Sequence, residues 1–375
     1  MTRNPPGPET AGADPVSGLH RLIETQRRLA ETASRMAVTR DRDVRLATTP
    51  KTEVMRVGDK ILYRCDAPPM ATGGRPAVLV LYALVGSYAV LDLQPDRSFI
   101  GSLVEAGLDV FVVDWGHPNR ACQHDDLGDY VEGYLDAFVD AACDASGTDR
   151  INLFGLCQGG VLSLCYSALF PDKVRNLITV AAPVDFHADK QDLRPDRGFM
   201  NHWARSLEKS DIELLVDTLG NIPGDIGGIA FTLMTPMRSL AKYNLTLIEA
   251  SQDEGRLLNF LRMEKWLADR PAHPGAAARQ WLNDLYRENR LVRGELEMAG
   301  EKVDLGRVTM PVLNIYTETD HIIPPAMTRA LKHHVGSRDY SEWAAKGGHI
   351  GIMVAGGVNR RAMQNKIADW LSARQ

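Results

Sequence analysis

The 375-residue chain has little that would mark it for export, a membrane or nucleic acid. Its five cysteines (Cys65, Cys122, Cys143, Cys157 and Cys165) are odd in number and include no CxxC pair, which argues against a disulfide framework or a zinc site. A reduced, cytoplasmic compartment and no resident metal are therefore expected. The first residues lack the charged-then-apolar pattern of a signal peptide. The longest apolar run, Ala77 to Leu93, is interrupted by Gly86, Ser87 and Asp92, so it reads as a buried strand and loop, with no transmembrane segment. There is no basic excess either: 43 Lys and Arg stand against 48 Asp and Glu, and no nucleic-acid partner is expected. What is there, 44% apolar residues over this length, suffices for one large catalytic core with an insertion.

Residues 1–16 read as a disordered leader rich in Pro, Gly and Ala. Residues 17–48 read as an N-terminal helical segment, with Leu19, Leu22, Ile23, Leu29, Ala33 and Met36 near helical spacing. From there to 375 the pattern is that of a catalytic domain. Apolar, β-branched runs at 77–82, 110–113, 151–154, 177–180 and 312–316 suit parallel strands covered on both faces. Helical segments between them, Tyr130 to Cys143 and Gly160 to Phe170, complete a βαβ rhythm and predict a mostly parallel, doubly wound sheet. The rhythm breaks at about 184–307, where helical periodicity and scattered residues such as Trp203, Met263, Trp266 and Trp281 predict an inserted helical cap.

The strongest local signal is Gly155-Leu156-Cys157-Gln158-Gly159-Gly160, between a strand and a helix. This is a nucleophile elbow of the α/β-hydrolase fold with cysteine in the serine position. The turn is so tight that Gly155 and Gly159, two before and two after the nucleophile, must be small. Cys157 is left at a helix N-terminus, where the dipole favours thiolate, and the N–H of Gln158 becomes one oxyanion donor. The second is expected from the loop after the first core strand, at Val85.

A thiolate needs a base, and the base needs an orienting acid. In this fold they follow the nucleophile in the order acid, histidine. Asp320, just past the strand ending at Tyr316, is the expected acid, with Glu318 as runner-up. His349, in the flexible run Gly347-Gly348-His349-Ile350-Gly351, is the expected base. Between them there is room for one helix (Ala326 to Val335) and one short strand (Asp339 to Trp343). His321 and the remaining histidines read as structural or surface residues.

With these residues in place, the chain resembles the catalytic subunit of class III polyhydroxyalkanoate synthases. The resemblance runs from about Thr49 to the C-terminus. It rests on the Cys box and on Leu91-Asp92-Leu93-Gln94, Asp114-Trp115-Gly116, Arg262-Met263-Glu264-Lys265-Trp266, Arg293-Gly294-Glu295-Leu296, Asp320-His321-Ile322-Ile323-Pro324-Pro325 and Gly348-His349-Ile350-Gly351. It implies polymerisation of 3-hydroxyacyl-coenzyme A, short-chain such as 3-hydroxybutyryl, into a polyester through a cysteine thioester. Coenzyme A is then a leaving group, and no cofactor is required. It also implies the growing polyester chain and a non-catalytic second subunit as partners, a possible homodimer, and residence at the surface of polymer granules. The chain departs from the family at Gly86, where asparagine is usual, so a side-chain hydrogen bond is missing beside the expected oxyanion donor. The elbow and triad alone would equally suit a cysteine thioesterase or a simple acyltransferase, and an inactive granule-binding scaffold is the non-enzymatic alternative.

Overall fold

The computed structural model describes residues 15–67, 75–190, 198–234, 246–354 and 356–375. The expected leader falls outside them up to residue 14. The described residues form two compact units, one within 15–44 and 246–261, the other within 45–234 and 262–375.

In the smaller unit the main element is α1 (Pro15–Val38), followed by a short 3₁₀ turn, Asp41–Val44. The helix therefore ends well before residue 48. Ile23, Leu29 and Met36 lie exposed along it, while Thr32 is buried and its hydroxyl pairs with that of Ser251 in the same unit.

The larger unit is built on an eight-stranded sheet. Its strands are β1 (Lys51–Val57), β2 (Lys60–Cys65), β3 (Ala77–Leu81), β4 (Asp109–Asp114), β5 (Ile151–Leu156), β6 (Val174–Val180), β9 (Val312–Thr317) and β10 (Tyr340–Ala345). A two-residue ladder, β7 (Glu297–Met298) with β8 (Glu301–Lys302), stands apart. The order is β1-β2-β4-β3-β5-β6-β9-β10. Within this sheet, among the described residues, only the pairings made by β2 are antiparallel.

Alternation explains why β3, a central strand, is apolar throughout. Leu79 and Leu81 of β3 face one apolar cluster with Phe111, Val113 and Leu153. Val78 and Val80 face the other, with Val110, Val112 and Phe154. With every residue of β3 buried, a polar side chain on either face would lose its water without a partner. Helices α2 (Phe99–Glu105), α3 (Asp136–Ser146) and α4 (Gln158–Leu169) belong to the covering layers. The predicted helix from Tyr130 begins as a wider π-helical turn, Asp129–Leu135, before α3.

Between β6 and β9 no strand joins the main sheet among the described residues. The stretch instead carries helices Phe199–Ser206, Lys209–Leu219, Gly224–Met234, Glu254–Ala268 and Gly275–Gln280. No helix of the described residues is long and apolar enough to cross a membrane.

The chain visits β4 on one side of β3 and β5 on the other. The carboxyl ends of β3 and β5 thus meet at a topological switch point, where open α/β sheets leave a crevice. Close packing there depends on Gly159, where an added Cβ would lie 2.5 Å from the carbonyl oxygen of Leu81 and 2.7 Å from that of Tyr82. Backbone cannot retreat from such a contact cheaply. Gly159→Ala is expected to destabilise the fold by about 3 kcal/mol, read as a lower denaturation midpoint.

Candidate active site

Cys157 stands between β5 and α4 with φ 54° and ψ −121°, a conformation costly for any residue but glycine. The turn is held from both sides. Its own N–H donates to Val180 O at 2.9 Å, and its carbonyl accepts from Gly160 N at 3.0 Å. At Gly155 an added Cβ would collide with Ser163 and with the Gly159 carbonyl. The side chain is left half-buried at the end of the sheet.

Asp320 follows β9, and its carboxylate is fully assigned. Oδ1 accepts from the N–H groups of Ile322 and Ile323, both at 2.9 Å. Oδ2 faces His349 Nδ1 at 2.8 Å. Both residues are almost wholly buried, at 1% and 4% exposure, so water does not screen the pair. The loop carrying His349 is tied to that of Asp320 by Thr319, whose hydroxyl donates to Gly347 O at 2.7 Å. Burial alone would push the imidazole pKa down. Asp320 and Cys157, through charge and as hydrogen-bonding neighbours, outweigh it and hold the pKa well above the usual histidine value. Asp320 thus fixes Nδ1 as the protonated nitrogen and leaves Nε2 as the one for Cys157. Glu318, the alternative acid, is exposed to solvent.

As first residue of α4, Gln158 has an N–H with no acceptor one turn back in its helix. Val85, 38% exposed, lies in the loop leaving β3, and its N–H meets no acceptor among the described residues. Both expected oxyanion donors therefore flank the carboxyl ends of the two strands that meet at the crevice.

Three relatives share most of this chain. The poly(3-hydroxyalkanoate) polymerase subunit PhaC of Synechocystis sp. is 40% identical over 359 residues, covering 95% of this chain and 93% of its own. That of Allochromatium vinosum is 41% identical, covering 87% and 89%. That of Haloferax mediterranei is 35% identical, covering 92% and 66%. A family model for the α/β-hydrolase fold matches residues 76–355. The chain belongs to the poly(3-hydroxyalkanoate) polymerase family.

In this polymerase-family chain the loop 83–88 is anchored along its length. Trp115 Nε1 donates to Tyr82 O at 3.1 Å, and Trp266 Nε1 donates to Ser87 O at 2.9 Å. Leu84 N donates to Gln158 Oε1 at 2.9 Å. Gly86 sits against Tyr82: an added Cβ would approach its ring to 2.9 Å, while Trp266 lies at an ordinary contact distance of 3.7 Å. The Tyr82 ring takes the room that a β-carbon would need. Tyr82 and Tyr286 are buried, and their phenol pKa values are raised first by burial and then by the charge of a nearby Cys157 thiolate. They form apolar walls near the sulfur. Burial also pushes the thiols of Cys65 and Cys165 up to about 12, which keeps them protonated.

Sequence reasoning credited Gln158 only with its backbone N–H and left His273 among the structural histidines. Neither side chain announces itself locally, because their partners lie 74 and 115 residues away.

Proposed function

We propose that this enzyme polymerises 3-hydroxyacyl-coenzyme A thioesters, short-chain ones such as 3-hydroxybutyryl, into a polyester with release of coenzyme A. The observation that carries the reading is the buried Asp320–His349 pair beside a cysteine on a strained elbow, in a chain of this family. His349 Nε2 takes the proton of Cys157, and the thiolate attacks the substrate carbonyl carbon. The oxyanion so formed is held by the N–H groups of Gln158 and Val85. On its collapse the bond to the sulfur of coenzyme A breaks, and the imidazolium returns its proton to that leaving thiolate.

The acyl group then rests on Cys157 as a thioester, nearly isoenergetic with the one consumed. A 3-hydroxyl group, losing its proton to His349, attacks an acyl thioester. An ester forms, and the displaced sulfur takes the proton back. Water must be kept from the same carbonyl, a task suited to the apolar walls of Tyr82, Trp266 and Tyr286. The chemistry is complete with coenzyme A as leaving group and calls for no resident cofactor. A non-catalytic second subunit, a homodimer and attachment to the surface of cytoplasmic polymer granules belong to the same proposal.

The test is coenzyme A release from 3-hydroxybutyryl-coenzyme A with analysis of the product. Sedimentable polyester is expected. Free 3-hydroxybutyrate alone would make the protein a thioesterase and overturn the reading.

A further inference from the structure

Gln158 is buried, and both ends of its side-chain amide are engaged. The N–H of Leu84 can only donate, so the atom it meets at 2.9 Å must be the Gln158 oxygen. The amide NH₂ group therefore faces His273, whose Nε2 lies 3.2 Å away. An NH₂ group cannot accept a hydrogen bond, so Nε2 of His273 must do so, with the ring proton on Nδ1 and the imidazole neutral.

His273 comes from the inserted helical region and is itself 8% exposed. Its backbone is pinned independently of the ring, by a reciprocal pair of 2.8 Å bonds with Ile222. The imidazole is thus a fixed acceptor that orients Gln158, and Gln158 in turn holds the loop from which Val85 projects. We infer that His273 is a positioning residue for the oxyanion hole, through which the inserted region sets where the Val85 N–H points. The inference rests on the reading of Cys157 as the acyl-carrying nucleophile. Burial holds the pKa of His273 down at about 4, so the acceptor form persists across the working pH range.

The experiment uses the full chain, with 3-hydroxybutyryl-coenzyme A as substrate and iodoacetamide as a probe of the Cys157 thiol. Alkylation passes through no carbonyl oxyanion, so it reports the nucleophile without the hole. His273→Leu removes the acceptor. It is expected to lower kcat by about 10- to 100-fold, less than the loss of a whole oxyanion donor, with KM within about twofold and the alkylation rate unchanged. His273→Gln, whose side-chain oxygen reaches the place of Nε2, is expected to recover most of the loss. A His273→Leu enzyme with normal kcat, an equal fall in alkylation, or no recovery with glutamine would each overturn the inference.

A measurement on the unmutated protein removes dependence on how the variants fold. Ring ¹⁵N NMR of histidine-labelled protein should show His273 Nε2 unprotonated near neutral pH, and a protonated Nε2 would overturn the inference. Cys157→Ala separates the two failures. If it keeps turnover, the catalytic reading itself fails. If it loses turnover while His273→Leu does not, only the positioning role fails.

Discussion

Replacing Cys157 by alanine is expected to lower coenzyme A release by at least about 10⁴-fold while leaving the fold intact. The size follows from the proposed role: a group that forms the covalent intermediate has no substitute, and removal of a nucleophile typically costs four to six orders of magnitude. The fold should survive because the side chain is only half-buried and the elbow is held by backbone bonds to Val180 and Gly160, which alanine keeps. Turnover should be followed by the absorbance of the substrate thioester, since thiol reagents would themselves consume Cys157. The same position tests the strain. At φ 54° a β-carbon is costly and glycine is not. Cys157→Gly should be equally inactive yet more stable than Cys157→Ala by about 1 kcal/mol in denaturant unfolding. An alanine variant that still releases coenzyme A would remove the thioester from the mechanism. A glycine variant no more stable than alanine would remove the strain.

The parts of this molecule that its sequence makes legible are those in which one local pattern has one physical solution. Five-residue apolar, β-branched runs such as Ala77 to Leu81, set between helical segments, suit strands covered on both faces, and the structure buries every residue of that strand. Strand β1 carries no such signal. It is an edge strand with Thr52, Glu53 and Arg56 facing solvent, so its alternation is weak and no apolar run marks it. The elbow is legible because two glycines at fixed spacing report a close approach whose clashing atoms can be named, such as the Leu81 carbonyl against Gly159. Asp320 and His349 follow from chain order and loop position, and the structure brings them to 2.8 Å. Gly86 shows the limit of such reading. As a sequence feature it is a missing hydrogen bond, whereas in the structure it is a place where the Tyr82 ring leaves no room for a β-carbon. The link from Gln158 to His273 is illegible for a different reason. It is made by side chains brought together only by tertiary packing, and nothing in Pro271-Ala272-His273-Pro274 distinguishes a satisfied core histidine from one that holds another residue in place.

Asp320→Asn should cost about 10³- to 10⁴-fold in turnover, although it exchanges one oxygen for a nitrogen of the same size. The backbone decides this. Oδ1 of Asp320 receives two N–H donors, from Ile322 and Ile323, so an asparagine must place its carbonyl oxygen there. Its NH₂ group is then turned toward His349 Nδ1, a position now held by a carboxylate oxygen at 2.8 Å. A donor there forces Nδ1 to accept, moves the ring proton to Nε2, and presents Cys157 with an N–H instead of a lone pair. The base is present in the wrong tautomer, a fault worth about four orders of magnitude where the same geometry governs a triad.

Stability gives a second readout with a definite sign. In the wild type the pKa of His349 is raised above the ordinary value of about 6.5. The folded state therefore binds this proton more tightly than the unfolded chain does. That stabilisation is fully present below about pH 6.5, declines as pH rises, and is gone once pH passes the folded value. In Asp320→Asn the larger of the two groups that opposed burial is gone, and the His349 pKa should fall. The difference in unfolding free energy between wild type and variant should accordingly narrow as pH is raised from about 6.5. A gap that stays constant, together with turnover within about tenfold of wild type, would mean that Asp320 shapes the loop without holding the proton of His349.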